Sequence, residues 1–215
     1  MEDVKLVDSR IEQYAQHFTS PENEILLQVN NQTVQHHVQA HMLVGHVQGR
    51  FLSFISNIIQ PKYVLEIGTF TGYSALCLAE GLLSDGELHT IELRENEAET
   101  ALENFRLAKK DKAITLHRGN ALEIIPTLPH FWDLVFIDAD KPGYIQYYEM
   151  IVPRLSHRGV ILADNVFFHG QVLAEPVTGK NARAIEAFNR HVANDTRVEQ
   201  VMLTIRDGLL MIKKK

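Results

Sequence analysis

The chain is poor in the features that would place it outside a cell or in a membrane. Its one cysteine, Cys77, excludes an internal disulfide, and no apolar run approaches the ~20 residues that a membrane-spanning helix needs. The opening Met-Glu-Asp-Val-Lys has neither the basic n-region nor the apolar h-region of a secretory signal, so a cytoplasmic protein is expected. Positive charge is in deficit. The 21 lysines and arginines against 27 acidic residues leave a formal charge of −6, which removes any global basic field for sequence-independent nucleic-acid binding. Internal repeats and low-complexity segments are absent. What remains is 215 residues with 45% apolar content, enough for a compact globular core and one domain with an N-terminal extension.

The pattern along the chain changes near residue 59. Residues 1–58 read as helices, a lid or extension, with Ser20-Pro21-Glu22 as one helix start: a serine cap, proline in the first turn and acidic residues against the dipole. Residues 59–215 read as an α/β core. Lys62 to Gly68 is a β-rich apolar run, Tyr73 to Leu83 is helical and Glu87 to Glu92 is a second strand. Asn96 to Lys110, Gly143 to Leu155 and Asn181 to Asn194 read as helices; Ile114 to His117, Trp132 to Asp138 and Val160 to Asp164 read as strands. Such alternation predicts a doubly wound, mostly parallel sheet covered by helices on both faces. At the end, Val198 to Thr204 and Leu209 to Lys213 flank Asp207-Gly208, a hairpin signal that adds antiparallel pairing at one edge.

Two strand ends carry similar oxygen chemistry. Phe136-Ile137-Asp138-Ala139-Asp140-Lys141 and Ile161-Leu162-Ala163-Asp164-Asn165 each run from apolar residues into carboxylates, so parallel packing brings Asp138, Asp164 and Asn165 to one sheet edge with Lys141 beside them. Two carboxylates and an amide oxygen suit Mg²⁺, Mn²⁺ or Ca²⁺ better than zinc. The turn Glu66-Ile67-Gly68-Thr69-Phe70-Thr71-Gly72 opens onto the same edge and suits a nucleotide-like cofactor. It lacks the middle glycine of Gly-x-Gly-x-x-Gly, which argues against NAD. Glu92 ends the second strand about 20 residues further on, where a carboxylate accepts ribose hydroxyls. S-adenosylmethionine, a nucleoside without phosphates, fits these constraints.

At these residues the chain resembles the cation-dependent class I O-methyltransferases, the group that includes catechol and caffeoyl-CoA O-methyltransferases. The likeness runs from about Met42 to the C-terminus and rests on several motifs in order: Val64 to Gly68, Gly72-Tyr73-Ser74, Glu92, Gly119-Asn120-Ala121, Asp138-x-x-Lys141 and Asp164-Asn165. It implies a Rossmann-like seven-stranded sheet with one antiparallel strand. It also implies that Met42, Val44, Glu66, Gly68, Thr69, Phe70, Tyr73, Ser74, Glu92, Ala121 and Asp138 surround S-adenosylmethionine. Asp138, Asp164 and Asn165 would ligate Mg²⁺ or a similar ion, and Lys141, with Asp138, would be catalytic. The helices around Asn31 to Gly49 look like the family's lid, and the family makes a homodimer expected.

Methyl transfer to oxygen requires an acceptor held in line and made anionic; a metal-bound hydroxyl ionises more readily, and Lys141 would either take the proton or stabilise the oxyanion. The expected acceptor is a small catechol-like or caffeoyl-type hydroxyl. The chain departs from the mammalian catechol enzyme at Leu210, where that enzyme has glutamate, and at Asp140, where it has histidine. A hydroxylated tRNA base is the alternative acceptor, favoured if Arg50, Arg154, Arg158, Lys180 and Arg183 share a face. Phe167, Phe168 and His169 follow Asp164-Asn165 and could clamp a planar acceptor. His37 and His41 are read as sharing a helix face near the substrate entrance rather than as zinc ligands. Cys77 reads as core, and Tyr144, Tyr147 and Tyr148 as packing at helical spacing.

Overall fold

The computed structural model describes residues 7–215. Three helices come first, α1 (Ser9–Phe18), α2 (Glu24–His36) and α3 (His46–Ile59), followed by β1 (Tyr63–Ile67), α4 (Tyr73–Leu78), β2 (Glu87–Glu92), α5 (Glu95–Leu107) and β3 (Ile114–Arg118). Then come α6 (Ala121–Ile124), β4 (Trp132–Ile137), α7 (Tyr144–Ile151), β5 (Leu155–Asp164), α8 (Lys180–Ala193), β6 (Val198–Leu203) and β7 (Leu209–Lys214). The seven strands form one sheet in the order β3-β2-β1-β4-β5-β7-β6. β1 to β5 run parallel; β7 is the reversed strand, antiparallel to both β5 and β6.

Both faces of the sheet are covered, so the central strands are apolar at successive positions rather than alternating. Leu65, Val135, Ile137 and Ile161 pack on one side with Tyr148 and Phe188. Val64, Leu134, Phe136 and Leu162 pack on the other with Leu52 and Phe105. Register then fixes what meets at the strand ends. Ile67 lies beside both Ile91 and Ile137, and Ile137 beside Ala163. The next residues, Gly68, Glu92, Asp138 and Asp164, therefore emerge along one carboxyl edge, around the strand-order reversal between β1 and β4.

Several boundaries differ from the sequence expectation. Helix α2 starts at Glu24, not at Ser20: Asn23 is its cap, its side chain accepting from the Leu26 amide at 2.9 Å. Glu22 serves tertiary contacts instead, accepting from Tyr73 Oη at 2.5 Å. Helix α4 stops at Leu78, five residues early, and a Cβ at Gly81 would lie 2.1 Å from the backbone of Ser56, where α3 crosses. Helix α7 gives way at Val152 to a 3₁₀ turn containing Pro153, and β5 begins at Leu155, well before Val160, because Leu155 already pairs with Trp132 across a register irregularity. The expected N-terminal extension is helical from Ser9; its residues 1–6 lie outside the described residues.

Candidate active site

A cavity of about 850 Å³ opens at the carboxyl edge of the sheet. Gly68, Thr69, Phe70, Tyr73 and Ser74 line it from the first turn, Glu92 from β2 and Ala121 from α6. Met42 and Val44, just before α3, form another wall, and Asp138, Lys141 and Asn165 the remaining one. Glu66 and Asp164 do not line it; both are fully buried immediately behind it.

The turn after β1 is built around backbone approach. Gly68 has φ +95°, and a Cβ there would sit 1.9 Å from the carbonyl oxygen of Asp138. Phe70 adopts a left-handed φ of 52°, and its amide donates to Glu92 Oε2 at 2.8 Å. Glu92 Oε1 accepts from the Arg94 amide at 2.9 Å. Glu92 thus ties the turn to β2 at the wall of the cavity. Glu66 Oε2 accepts from Thr90 Oγ1 at 2.5 Å, and its Oε1 is buried without a partner. Burial pushes the Glu66 carboxyl up to about 8, opposed by the nearby Ser74 hydroxyl and by the hydrogen bond from Thr90.

At the other wall, Lys141 Nζ donates to Asn165 Oδ1 at 2.8 Å, to Tyr144 Oη at 2.8 Å and to Asp138 Oδ1 at 3.1 Å. Burial by itself would depress the Lys141 ammonium, but Tyr144, Asp138 and Asp164 outweigh it and hold the pKa above its usual value. Lys141 is therefore an ammonium in this arrangement. Asn165 has φ 58°, and Phe168 and His169 on the following loop are also left-handed, so backbone strain is concentrated around the cavity. Asp164 Oδ1 accepts from the Asn165 amide at 2.8 Å, whereas its Oδ2 is buried without a partner. Burial first, and Asp138 second, raise the Asp164 carboxyl.

That orphaned oxygen, beside a second carboxylate and an amide oxygen, is the donor chemistry of a hard divalent cation, so the residues present fit one. The structure brings Lys141 directly between Asp138 and Asn165. Tyr144 is the neighbour that sequence reading missed. Read as packing, it bonds Lys141 and donates to the Asp164 carbonyl at 3.0 Å. Gln48 on α3 was equally invisible; it lies buried against the Asp164 carboxyl, its amide atoms without a hydrogen bond of normal geometry.

Other expectations are corrected. His37 and His41 do not share a helix face: α2 ends at His36, His37 packs edge-on against Phe70 at 4.5 Å, and only His41 of the pair reaches the cavity. Phe168 and His169 line the cavity, but Phe167 packs on Gly208. Asp140 caps the turn before α7, accepting from the Gly143 amide at 3.1 Å and from Tyr147 Oη. Leu210 is core, paired with Ala163. Among the possible RNA-binding residues, Arg50 pairs with Glu80 at 3.0 Å and Arg154 is engaged by the carbonyls of Ile125, Leu128 and His130.

Comparison with known proteins agrees with this geometry. The family model described as O-methyltransferase matches residues 16–215. The chain belongs to the O-methyltransferase family. It is 32% identical over 198 residues to the catechol O-methyltransferase of Niastella koreensis, covering 90% of this chain and 89% of that one. The caffeoyl-CoA O-methyltransferase of Medicago sativa is 29% identical over 205 residues, 90% of this chain and 83% of its own. Among solved structures, the SAH-bound methyltransferase of Podospora anserina superimposes with a TM-score of 0.89 at 28% identity, over 96% of this chain and 94% of that chain. The Bacillus cereus O-methyltransferase in complex with SAH gives 0.87 at 29% identity, over 96% and 97%.

Proposed function

We propose that this protein transfers the methyl group of S-adenosylmethionine to a hydroxyl of a small catechol-like or caffeoyl-type acceptor, with a divalent cation, Mg²⁺ or Mn²⁺ or Ca²⁺, held by Asp138, Asp164 and Asn165. The observation that carries this reading is that Asp138, Asn165 and Lys141 meet the Gly68 turn and Glu92 around one cavity, with the unpartnered Asp164 carboxylate oxygen buried behind them. The SAH-bound neighbours support the cofactor. Bound there, it supplies an electrophilic methyl on a sulfonium; a bound cation lowers the pKa of the acceptor hydroxyl and orients it.

The chain's own residues do the rest. Glu92 receives ribose hydroxyls, and the backbone of Gly68, Thr69 and Phe70 forms the floor against which the nucleoside rests. Met42, Val44, Tyr73, Ser74 and Ala121 wall it, and Asp138 offers its carboxylate to the amino-acid end. Glu66, behind Thr90 and within reach of Ser74, supports this floor rather than touching the cofactor. Lys141 is the acid–base group beside the acceptor oxygen: charged, it would stabilise the oxyanion; with a cation bound beside it, its pKa would fall, and after releasing its own proton to solvent the neutral amine would take the hydroxyl proton.

Residues 1–58 act as the lid of a single methyltransferase domain whose core is 59–215. Four ties support this: Thr33 Oγ1 to Thr71 Oγ1 at 3.0 Å, His37 on Phe70, Gln39 to Arg94 at 2.8 Å and the His41 carbonyl to Arg206 at 2.8 Å. The exposed stripe Ile11, Tyr14 and Phe18 on α1, with Phe54 and Ile58 on α3, suits burial in a homodimer. No helix among the described residues is long and apolar enough to cross a membrane, and the buried thiol Cys77 suits a cytoplasmic setting.

Pairing of Arg50 with Glu80 and engagement of Arg154 by backbone carbonyls withdraw two of the five basic residues an RNA-binding face would use, which favours the small acceptor. The test is purified protein with labelled S-adenosylmethionine and Mg²⁺, offered 3,4-dihydroxyphenyl compounds and bulk tRNA in parallel. Label in the phenolic compound is expected; label in RNA alone overturns the acceptor class.

A further inference from the structure

At the opposite edge of the sheet lies a cluster that methyl transfer does not use. Glu87 opens β2 and His89 stands two residues on, so both project from the same face, and His130 precedes β4. Glu87 to Glu92 spans five residue steps, about 17 Å along the strand, which separates this cluster from the cavity.

The geometry points to a second metal site here, in which Glu87, His89 and His130 bind a zinc-like divalent ion with a fourth position open to solvent. One donor atom from each of the three lies within 4.8 Å of the others, the sole such grouping of His, Cys, Asp and Glu among the described residues. A tetrahedral zinc with bonds of about 2.0–2.2 Å holds its donors roughly 3.4 Å apart. His89 Nε2 and Glu87 Oε2 already stand at 3.3 Å, so contraction is needed only toward His130, whose donor lies within 4.8 Å of both. The Glu87 side chain is 52% exposed and can supply it, whereas His89 is held almost fully inside.

Two imidazoles and one carboxylate match the borderline preference of zinc rather than the all-oxygen preference of magnesium, so the two sites would select different ions. His89 Nδ1 lies 2.9 Å from His117 Nε2. Donation from Nδ1–H to His117 leaves the His89 Nε2 lone pair free for the ion, the outer hydrogen bond that orients a metal-bound histidine. His130 is held from two sides: its ring stacks on Tyr63 at 4.3 Å and its carbonyl accepts from Arg154 Nη2 at 2.9 Å. An ion here would clip the start of β2 to the segment entering β4, across the intervening β1.

The protein's one tryptophan supplies a reporter, since the Trp132 ring lies 5.8 Å from that of His89 and 5.5 Å from that of His130. Untagged, chelator-treated full-length protein is titrated with Co²⁺ and then Zn²⁺. The expected result is a single equivalent of cobalt that gives the intense visible bands of a four-coordinate site, quenches Trp132 emission and is displaced by zinc. His130→Ala and Glu87→Gln should lose the bands and the quenching, and His117→Ala should weaken binding by about 10–100-fold. Asp164→Asn, at the other edge, should leave the signal intact whether or not the proposed catalytic cation is real. Glu87 sits on an exposed strand end, so E87Q keeps the test valid if H130A fails to fold. No tight equivalent in the wild type, or a signal that survives E87Q or disappears in Asp164→Asn, overturns the proposal.

Discussion

A Cβ added to Gly68 would lie 1.9 Å from the carbonyl oxygen of Asp138, at a backbone φ of +95°. The cofactor turn and the carboxylate strand end are therefore locked together by an approach that only glycine permits. Gly68→Ala must push β1 and β4 apart at the cavity. It is expected to cost at least ~2 kcal/mol of stability in denaturant unfolding and to abolish measurable S-adenosylmethionine binding by calorimetry.

Asp164→Asn should separate stability from activity. In the metal-free protein the Asp164 carboxylate is buried with one oxygen unpartnered, so the amide should leave the thermal midpoint unchanged or raised. Methyl transfer should fall on the order of 10²–10⁴-fold through loss of a cation ligand. A parallel loss of stability and activity would mean that Asp164 is structural.

Lys141→Met tests the bridge between Asp138 and Asn165. Removing the ammonium leaves the carboxylates without their cation, so Mn²⁺ should bind about tenfold tighter or more, read by calorimetry. The turnover rate should nevertheless fall on the order of 10²–10⁴-fold.

Glu66 gives stability a pH dependence. Its folded pKa is raised from 4.5 to about 8 by burial, so the folded state holds a proton that the unfolded chain has released. Its stabilising contribution is full below pH 4.5 and is lost as pH rises toward 8. Glu66→Gln should therefore flatten the decline in thermal midpoint between those limits, with a larger gain at pH 8 than at pH 5.

Much of the site was legible because parallel strands end together: once the strands are read to end at Gly68, Asp138 and Asp164, those three residues must be neighbours. What escaped depends on tertiary contact. Tyr144 sits at a helical spacing from Tyr148 that reads as core, and nothing local reveals its bond to Lys141. Gln48 meets Asp164 only because α3 folds back over the sheet. Ser20-Pro21-Glu22 imitates a helix start, but Asn23 offers a better cap and Glu22 is engaged by Tyr73. His89 and His130 come together only through the strand order β2-β1-β4, which no spacing in the chain encodes.

The most direct measurement is transfer of labelled methyl from S-adenosylmethionine to a 3,4-dihydroxyphenyl acceptor by the wild-type chain, with Mg²⁺ and then with EDTA. Incorporation that requires Mg²⁺ and is restored by its re-addition is expected. Absence of incorporation, or incorporation indifferent to EDTA, would contradict a cation held by Asp138, Asp164 and Asn165 as the activator of the acceptor.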